Sequence, residues 1–220
     1  MTPAPAVGAA LLLGLGVLSA TPAHAVAATS TTTLALSTTS SSYGQTVTAS
    51  AAVATAPGPA TGDVVFAIDG LAYKANLGAA GTATLVLPDA GVGAHAVTAT
   101  FVPQDPTLQQ GSTSPAQAWT VDRVRTRLQP RVQGKGLRIP TVLVVTASGE
   151  YGSVPGGDLR VGLRRNGRLR GTEQATLTGA PVRVGLGLLP RGRYRAVVRY
   201  AGDASHLPGK RVVRFRVRQR

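Results

Sequence analysis

Gly192-Arg-Tyr-Arg-Ala-Val-Val-Arg-Tyr200 repeats the pattern of an earlier stretch, Gly93-Ala-His-Ala-Val-Thr-Ala-Thr-Phe101. Both copies open on Gly, alternate along their length and close on an aromatic residue. Beyond each copy comes an Asp (Asp105, Asp203) among turn-formers, then a Leu (Leu108, Leu207). Phe101 and Tyr200 are 99 residues apart, about the length of one small β-sandwich. Each stretch reads as a central strand, preceded by the strands that pack around it and followed by one more.

Working outward, Val47, Ala49, Ala51 and Val53 alternate with small or polar residues, the signature of a half-buried strand. Val64, Phe66 and Ile68 share one face of the next strand, which ends at the hairpin signal Asp69-Gly70. Shorter strands are expected around Ala72–Leu77 and Thr82–Leu87, and a last one near Ala116–Val121 carries Trp119. The second half repeats the order. Arg125–Leu128 opens it, and Leu137–Ala147 reads as a long apolar strand. Leu159, Val161 and Leu163 answer Val64, Phe66 and Ile68, and Asn166-Gly167 answers Asp69-Gly70. Strands near Glu173–Thr178 and Val182–Leu186 precede the central copy, and Arg211–Arg218 closes the set. About seven strands per half with no helical periodicity between them predict an all-β chain of two tandem immunoglobulin-like antiparallel sandwiches.

Composition agrees. Gly (27) and Pro (15) fall between short apolar runs rather than in one block, as frequent turns require. The absence of cysteine removes thiol catalysis, thiolate metal sites and an inter-sheet disulfide, so each core must hold its own sandwich. The net charge of +14 divides sharply. From Val26 to Asp122 one Lys (Lys74) stands against five Asp, giving −4; from Arg123 to Arg220, 22 basic residues stand against four acidic ones, giving +18. Such asymmetry points to anionic partners of the second half.

The apolar run Ala6–Leu18 is thirteen residues, shorter than the roughly 20 that span a bilayer, and Ala23-His24-Ala25 fits a small-x-small cleavage site. No Lys or Arg precedes the run. The expected organisation is a signal peptide over 1–25, a disordered tether over 26–33, a neutral-to-acidic sandwich over 34–122 and a strongly basic one over 123–220. No transmembrane segment is expected after cleavage, and the location implied is extracellular, in association with the cell wall.

Four motifs carry a family resemblance: Tyr43-Gly-Gln-Thr-Val47, Gly62-Asp-Val-Val-Phe66, Gly93-Ala-His-Ala-Val-Thr-Ala-Thr-Phe101 and Tyr200-Ala-Gly-Asp203. Together they resemble the bacterial Ig-like repeat family, closely in the first half and more loosely in the second, which lacks Tyr-Gly-Gln and has Tyr194 in place of His95. The resemblance implies a non-catalytic module of an exported surface protein, acting as spacer, adhesin or carbohydrate-associated domain.

Neither histidine of the mature chain reads as a catalyst. His95 alternates in phase with Val97, Ala99 and Phe101, and its counterpart is Tyr194, so it reads as an amphipathic plug at a strand end. His206 reads as a solvated loop residue. Asp203 reads as the cap of its own turn; a calcium site would need six to eight oxygens, and no acidic cluster supplies them. No Gly-x-Ser-x-Gly elbow and no phosphate loop is present. No enzyme and no cofactor is implied.

The arginines carry the sharpest signal. On the last strand Arg214, Arg216 and Arg218 alternate with Phe215 and Val217; on the central strand Arg193, Arg195 and Arg199 oppose Tyr194, Ala196, Val198 and Tyr200; on the third, Arg160 and Arg164 oppose Leu159, Val161 and Leu163. In an Ig-type sandwich these strands are adjacent, so eight guanidinium groups share one outward face, with Arg195, Arg199 and Arg216 expected near its centre. Two readings follow. The face binds an anionic cell-wall or extracellular polymer (teichoic acid, acidic polysaccharide, lipid headgroups or extracellular DNA) through bidentate contacts, or it is solvated structural charge that deters aggregation. The first half fills the same face with Ala96, Thr98 and Thr100. Sequence-specific nucleic-acid reading is not expected, since no reading helix is in evidence.

Overall fold

Period-2 alternation becomes pleated strand throughout residues 26–218, which the computed structural model describes. The leader expected over 1–25 and the final residues 219 and 220 lie outside the described residues. In the first half one sheet has the order β1 (Thr29–Leu36), β3 (Thr48–Ala56), β6 (Thr82–Val86). The facing sheet runs β2 (Ser40–Ser42), β9 (Gln117–Asp122), β7 (Gly93–Pro103), β4 (Gly62–Ile68), β5 (Leu71–Asn76), with β8 (Ser112–Thr113) paired to β7. All pairings are antiparallel except the short β2–β9 contact.

The second half repeats this plan. One sheet is β10 (Thr126–Gln133), β11 (Thr141–Gly149), β14 (Val182–Gly187); the other is β13 (Arg168–Thr178), β12 (Gly156–Arg165), β15 (Gly192–Tyr200), β16 (Gly209–Val217). The turns at Asp69-Gly70 and Asn166-Gly167 both hold two residues at positive φ (49° and 87°, 50° and 80°). That is the twist-matching hairpin turn that Asp-Gly and Asn-Gly favour, and it sets the β4–β5 and β12–β13 registers.

Each half has its own apolar interior. In the first, Val64, Phe66, Val97, Phe101 and Trp119 are buried with the alternating face of β3, and the Trp119 indole donates to Ser41 Oγ at 2.9 Å. In the second, Leu143, Val145, Leu159, Val161, Val198 and Tyr200 form the main cluster, extended by Leu163, Leu189, Tyr194 and Val217. The strand-end plugs are parallel constructions. His95 Nε2 donates to the Gly91 carbonyl oxygen at 2.8 Å, and the Tyr194 hydroxyl donates to that of Pro190 at 2.8 Å, each four residues back.

Three local expectations need correction. The segment expected as a disordered tether becomes strand from Thr29, because its β-branched threonines pair with β3 from Thr29↔Ala56 onward and Thr32 is buried 2.7 Å from Ser112 Oγ. The strand expected from Leu137 begins only at Thr141, since Pro140 has no N–H for a ladder. The strand expected over Glu173–Thr178 starts earlier, at Arg168, because the tight Asn166-Gly167 turn lets pairing begin at once with Arg165↔Arg168.

At the joint, the Tyr43 N–H donates to the Asp122 carbonyl oxygen, whereas Val124 exchanges backbone bonds with Ser205 and Leu207. Only Arg123 separates a residue tied to the first half from one tied to the second. Chains cut after Asp122 are therefore expected to unfold cooperatively on each side of the cut. Thermal unfolding of the two pieces checks this, and a non-cooperative melt of either would refute it.

Candidate anion-binding face

Strand alternation decides which side an arginine takes, and register decides its neighbours. Arg160, Arg199 and Lys210 stand directly opposite one another across β12, β15 and β16. Gly162, Val197 and Val212 form the next outward row, and Arg164, Arg195 and Arg214 the one after. Arg193 opposite Arg216 completes the face. Outward side chains two residues apart on a strand are about 7 Å apart, and neighbours across strands about 5 Å.

The apolar row between the charged ones shapes the surface. Val197 points outward yet is only 5% exposed. Gly162 beside it contributes no side chain, and a Cβ there would lie 3.7 Å from Leu169 Cδ1. Long arginine side chains beside such a row can lay their aliphatic stems along apolar surface while their charged heads reach water.

All eight arginines expected on this face are exposed. Five of them, Arg164, Arg193, Arg195, Arg214 and Arg216, line one open groove of about 600 Å³ beside the Asn166-Gly167 turn. Arg160 and Arg199 line a separate hollow with Gln174 and Asp158. Arg199 thus does not sit with Arg195 and Arg216 at one centre, because the Val197 row intervenes. Arg218 lies past the last paired residue of β16, bridged to Gly136. Two further residues join the site that alternation on the three strands had outlined. Lys210 continues the Val212, Arg214, Arg216 alternation one step upstream, so its place on the face could have been read from the sequence. Arg165 places its guanidinium 5.7 Å over the Tyr194 ring and donates to the Arg191 carbonyl oxygen at 2.7 Å, bracing the end of the groove.

Among the described residues no ion pair neutralises these charges. Among the described residues the ion pairs are Lys74–Asp63, His95–Asp69 and His206–Asp203, none of which involves an arginine. The outward positions of the facing sheet provide an internal comparison. There β10 and β11 present Gln129, Gln133, Thr146 and Ser148 beside Arg127 and Arg131, and β14 adds Arg183. Arginine is denser on one sheet than on the other within the same sandwich.

His206 corrects the expectation of a solvated loop residue. It is 2% exposed, with Nδ1 2.9 Å from Asp203 Oδ1 and Nε2 2.9 Å from Ser153 Oγ; the Tyr43 ring packs edge-on at 5.9 Å. Alternation could not reveal this, since the loop is folded inward by Asp203 rather than by a strand. Although Ser153, His206 and Asp203 stand in the hydrogen-bonded order of a nucleophilic triad, the Ser153 hydroxyl also lies 3.1 Å from the Glu150 carbonyl oxygen. Together these bonds tie the 150–153 turn to the loop that follows β15. The cluster is a clasp.

Asp203 is its centre, as the turn-capping reading expected and more. Its carboxylate accepts from the N–H groups of Gly156, Ser205 and His206, and the Tyr200 hydroxyl lies 2.8 Å from Oδ2. Burial opposes ionisation, but these donors outweigh it and hold the carboxyl well below the usual range; burial first, and then Asp203, push the Tyr200 hydroxyl up. A depressed carboxyl contributes stability that is fully present above its unfolded value of about 4 and is lost as pH falls toward the folded one. Asp203→Asn is therefore expected to cost the second half about 1–3 kcal/mol at neutral pH, with the gap from the parent closing as pH drops below about 4. Chemical denaturation at several pH values checks this; a constant gap would contradict it.

Residues 32–122 match the family model described as bacterial Ig-like domain (group 3). Among solved structures, the chain is similar to a two-domain fibronectin type III segment of chicken tenascin (12% identity, 83% of this chain and 97% of that one, TM-score 0.42). It is also similar to fibronectin(III)-like modules of Clostridium thermocellum CbhA (17%, 84% and 94%, 0.32), and to the Yersinia pseudotuberculosis adhesin InvE (16%, 84% and 58%, 0.35). No curated protein matches the chain.

Proposed function

We infer, from a chain whose residues 32–122 are a bacterial Ig-like domain of group 3, that this is a non-catalytic structural or adhesive module of an exported surface protein, and that its second half adheres to anionic polymer. No helix among the described residues is long and apolar enough to cross a membrane. Export rests on the leader expected over 1–25. Adhesion rests on one observation: arginines stand directly opposite arginines on three neighbouring strands, and no carboxylate among the described residues is paired to them. Like charges opposed across a ladder destabilise it by roughly 0.2–1 kcal/mol a pair. A bound polyanion removes that cost, whereas a merely solvated face leaves it standing.

The first sandwich supplies the contrast. The positions on its β7 that match Arg193, Arg195 and Arg199 carry Ala94, Ala96 and Thr100, and its single cation, Lys74, pairs with Asp63 at 2.6 Å. In this reading it is the spacer that presents the basic unit. Binding of the whole chain to immobilised teichoic acid, sulfated polysaccharide and neutral glycan, measured from low to moderate salt, tests the proposal. Tight binding to the anionic polymers that weakens steeply with ionic strength is expected. Equal binding to neutral glycan, or binding indifferent to salt, would leave the arginines as solvated charge and the chain as a spacer alone.

A further inference from the structure

The charge does not stop at the edge of the four-stranded sheet. β16 runs along β10, and over that seam lies a second groove of about 560 Å³, lined by Arg125, Arg127, Lys210 and Arg211 with Glu150 as its one carboxylate. Lys210 belongs to both surfaces. It ends the outward row Arg160, Arg199, Lys210 and it also lines the seam groove. Arg127 faces outward from the opposite sheet, paired to Ser148, so the seam groove turns from one side of the sandwich toward the other.

Resting on the adhesion reading above, we propose that the two grooves are one track for a single flexible phosphate polymer, which crosses the arginine rows along β15 and bends over the β16 edge into the seam. From Arg193 to Arg199 the track follows β15 for about 20 Å before it turns at Lys210. The turn selects the ligand. Duplex DNA has a persistence length of about 500 Å and cannot follow a bend over a sandwich edge, so it meets the sheet face alone. A membrane surface, being locally flat, likewise meets one face. A single-chain phosphate polymer can follow both, and guanidinium groups suit its oxygens bidentately.

The test uses the full chain and a seam variant, Arg125→Ser/Arg127→Ser/Arg211→Ser, with fold checked by thermal unfolding. The probes are inorganic polyphosphate in short and long lengths, a DNA duplex, and vesicles containing anionic phospholipid. For the parent, affinity for polyphosphate should rise with length until the chain spans both grooves. The seam variant should bind the short polymer and the duplex like the parent. It should lose about tenfold or more on the long polymer, and its salt slope there should fall by about 2, at roughly 0.7 per phosphate no longer neutralised. A seam variant that binds long polyphosphate like the parent overturns the track while leaving the face intact. Equal losses on duplex and vesicles also overturn it, because net charge and not a path would then be responsible. Failure of the parent to bind any of the probes would instead remove the adhesion reading itself.

Discussion

Replacing Phe66 by Ala is expected to lower the stability of the first sandwich by about 3–5 kcal/mol. Phe66 lies at the middle of β4 between Ala99 of β7 and Tyr73 of β5, with no exposed surface. Its cross-strand partner Ala99 is small and the facing β3 presents Ala49 and Ala51, so these neighbours have no rotamers with which to reclaim the space the ring fills. Removing it costs both the transfer term and the cavity term. In the second sandwich the same position is Val161, opposite Val198 and equally buried. There Val161→Ala removes two methyl groups rather than a ring, so a loss of about 1–2.5 kcal/mol is expected. Urea denaturation of parent and variants decides the matter. A loss below about 1 kcal/mol for Phe66→Ala would mean that the site collapses around the missing ring, contrary to the close packing the geometry implies.

The second large effect concerns binding. Arg195→Ser/Arg214→Ser/Arg216→Ser removes three of the five guanidinium groups around one groove, all on β15 and β16. The outward alternation is kept and the core side of both strands is untouched, so stability should move by less than about 0.5 kcal/mol for each exposed change, partly offset by relief of repulsion. Binding to anionic polymer should fall at least tenfold at moderate salt, and the slope of log K against log salt should flatten by about 2 to 3, near 0.7–0.9 for each phosphate no longer neutralised. Titrations of parent and variant at four or five salt concentrations give both quantities. If the slope is unchanged, the groove binds no phosphate and charge elsewhere carries the binding. Arg199 serves as a comparison within the face: it belongs to another row and hollow, so Arg199→Ser alone should weaken binding without abolishing it.

The same face shows how far each level of description reaches. The repeated Gly-to-aromatic stretches, the Asp69-Gly70 and Asn166-Gly167 signals and the strict alternation on β4, β7, β12 and β15 made the fold class legible, because side chains on a strand must take opposite sides and apolar ones go inward. For the same reason the outward side of Arg160, Arg164, Arg193, Arg195, Arg199, Arg214 and Arg216 could be read from position alone, whereas Arg165 and Arg211 take the other phase of β12 and β16. Residue type also marked Asp203 as a turn cap and His95 as a plug. The stretch over 26–33 shows the limit: polarity suggested looseness there, yet the threonines from Thr29 onward found a partner strand that composition could not reveal.

Tertiary structure decided the rest, since register and loop folding depend on residues distant in the chain. Alternation cannot say that Arg195 stands between Arg164 and Arg214 while Arg199 stands between Arg160 and Lys210, nor that Val197 keeps the two rows apart. It cannot bring Arg125 and Arg127 beside Lys210 and Arg211, because that seam exists only once two sheets have packed. It cannot bury His206, which is held by Asp203 three residues before it and by Ser153 fifty-three residues before it. The sequence alone determined which face each side chain takes, through the two-residue period of a pleated strand. Which side chains meet was settled only by long-range pairing, where a one-residue slip would change every neighbour.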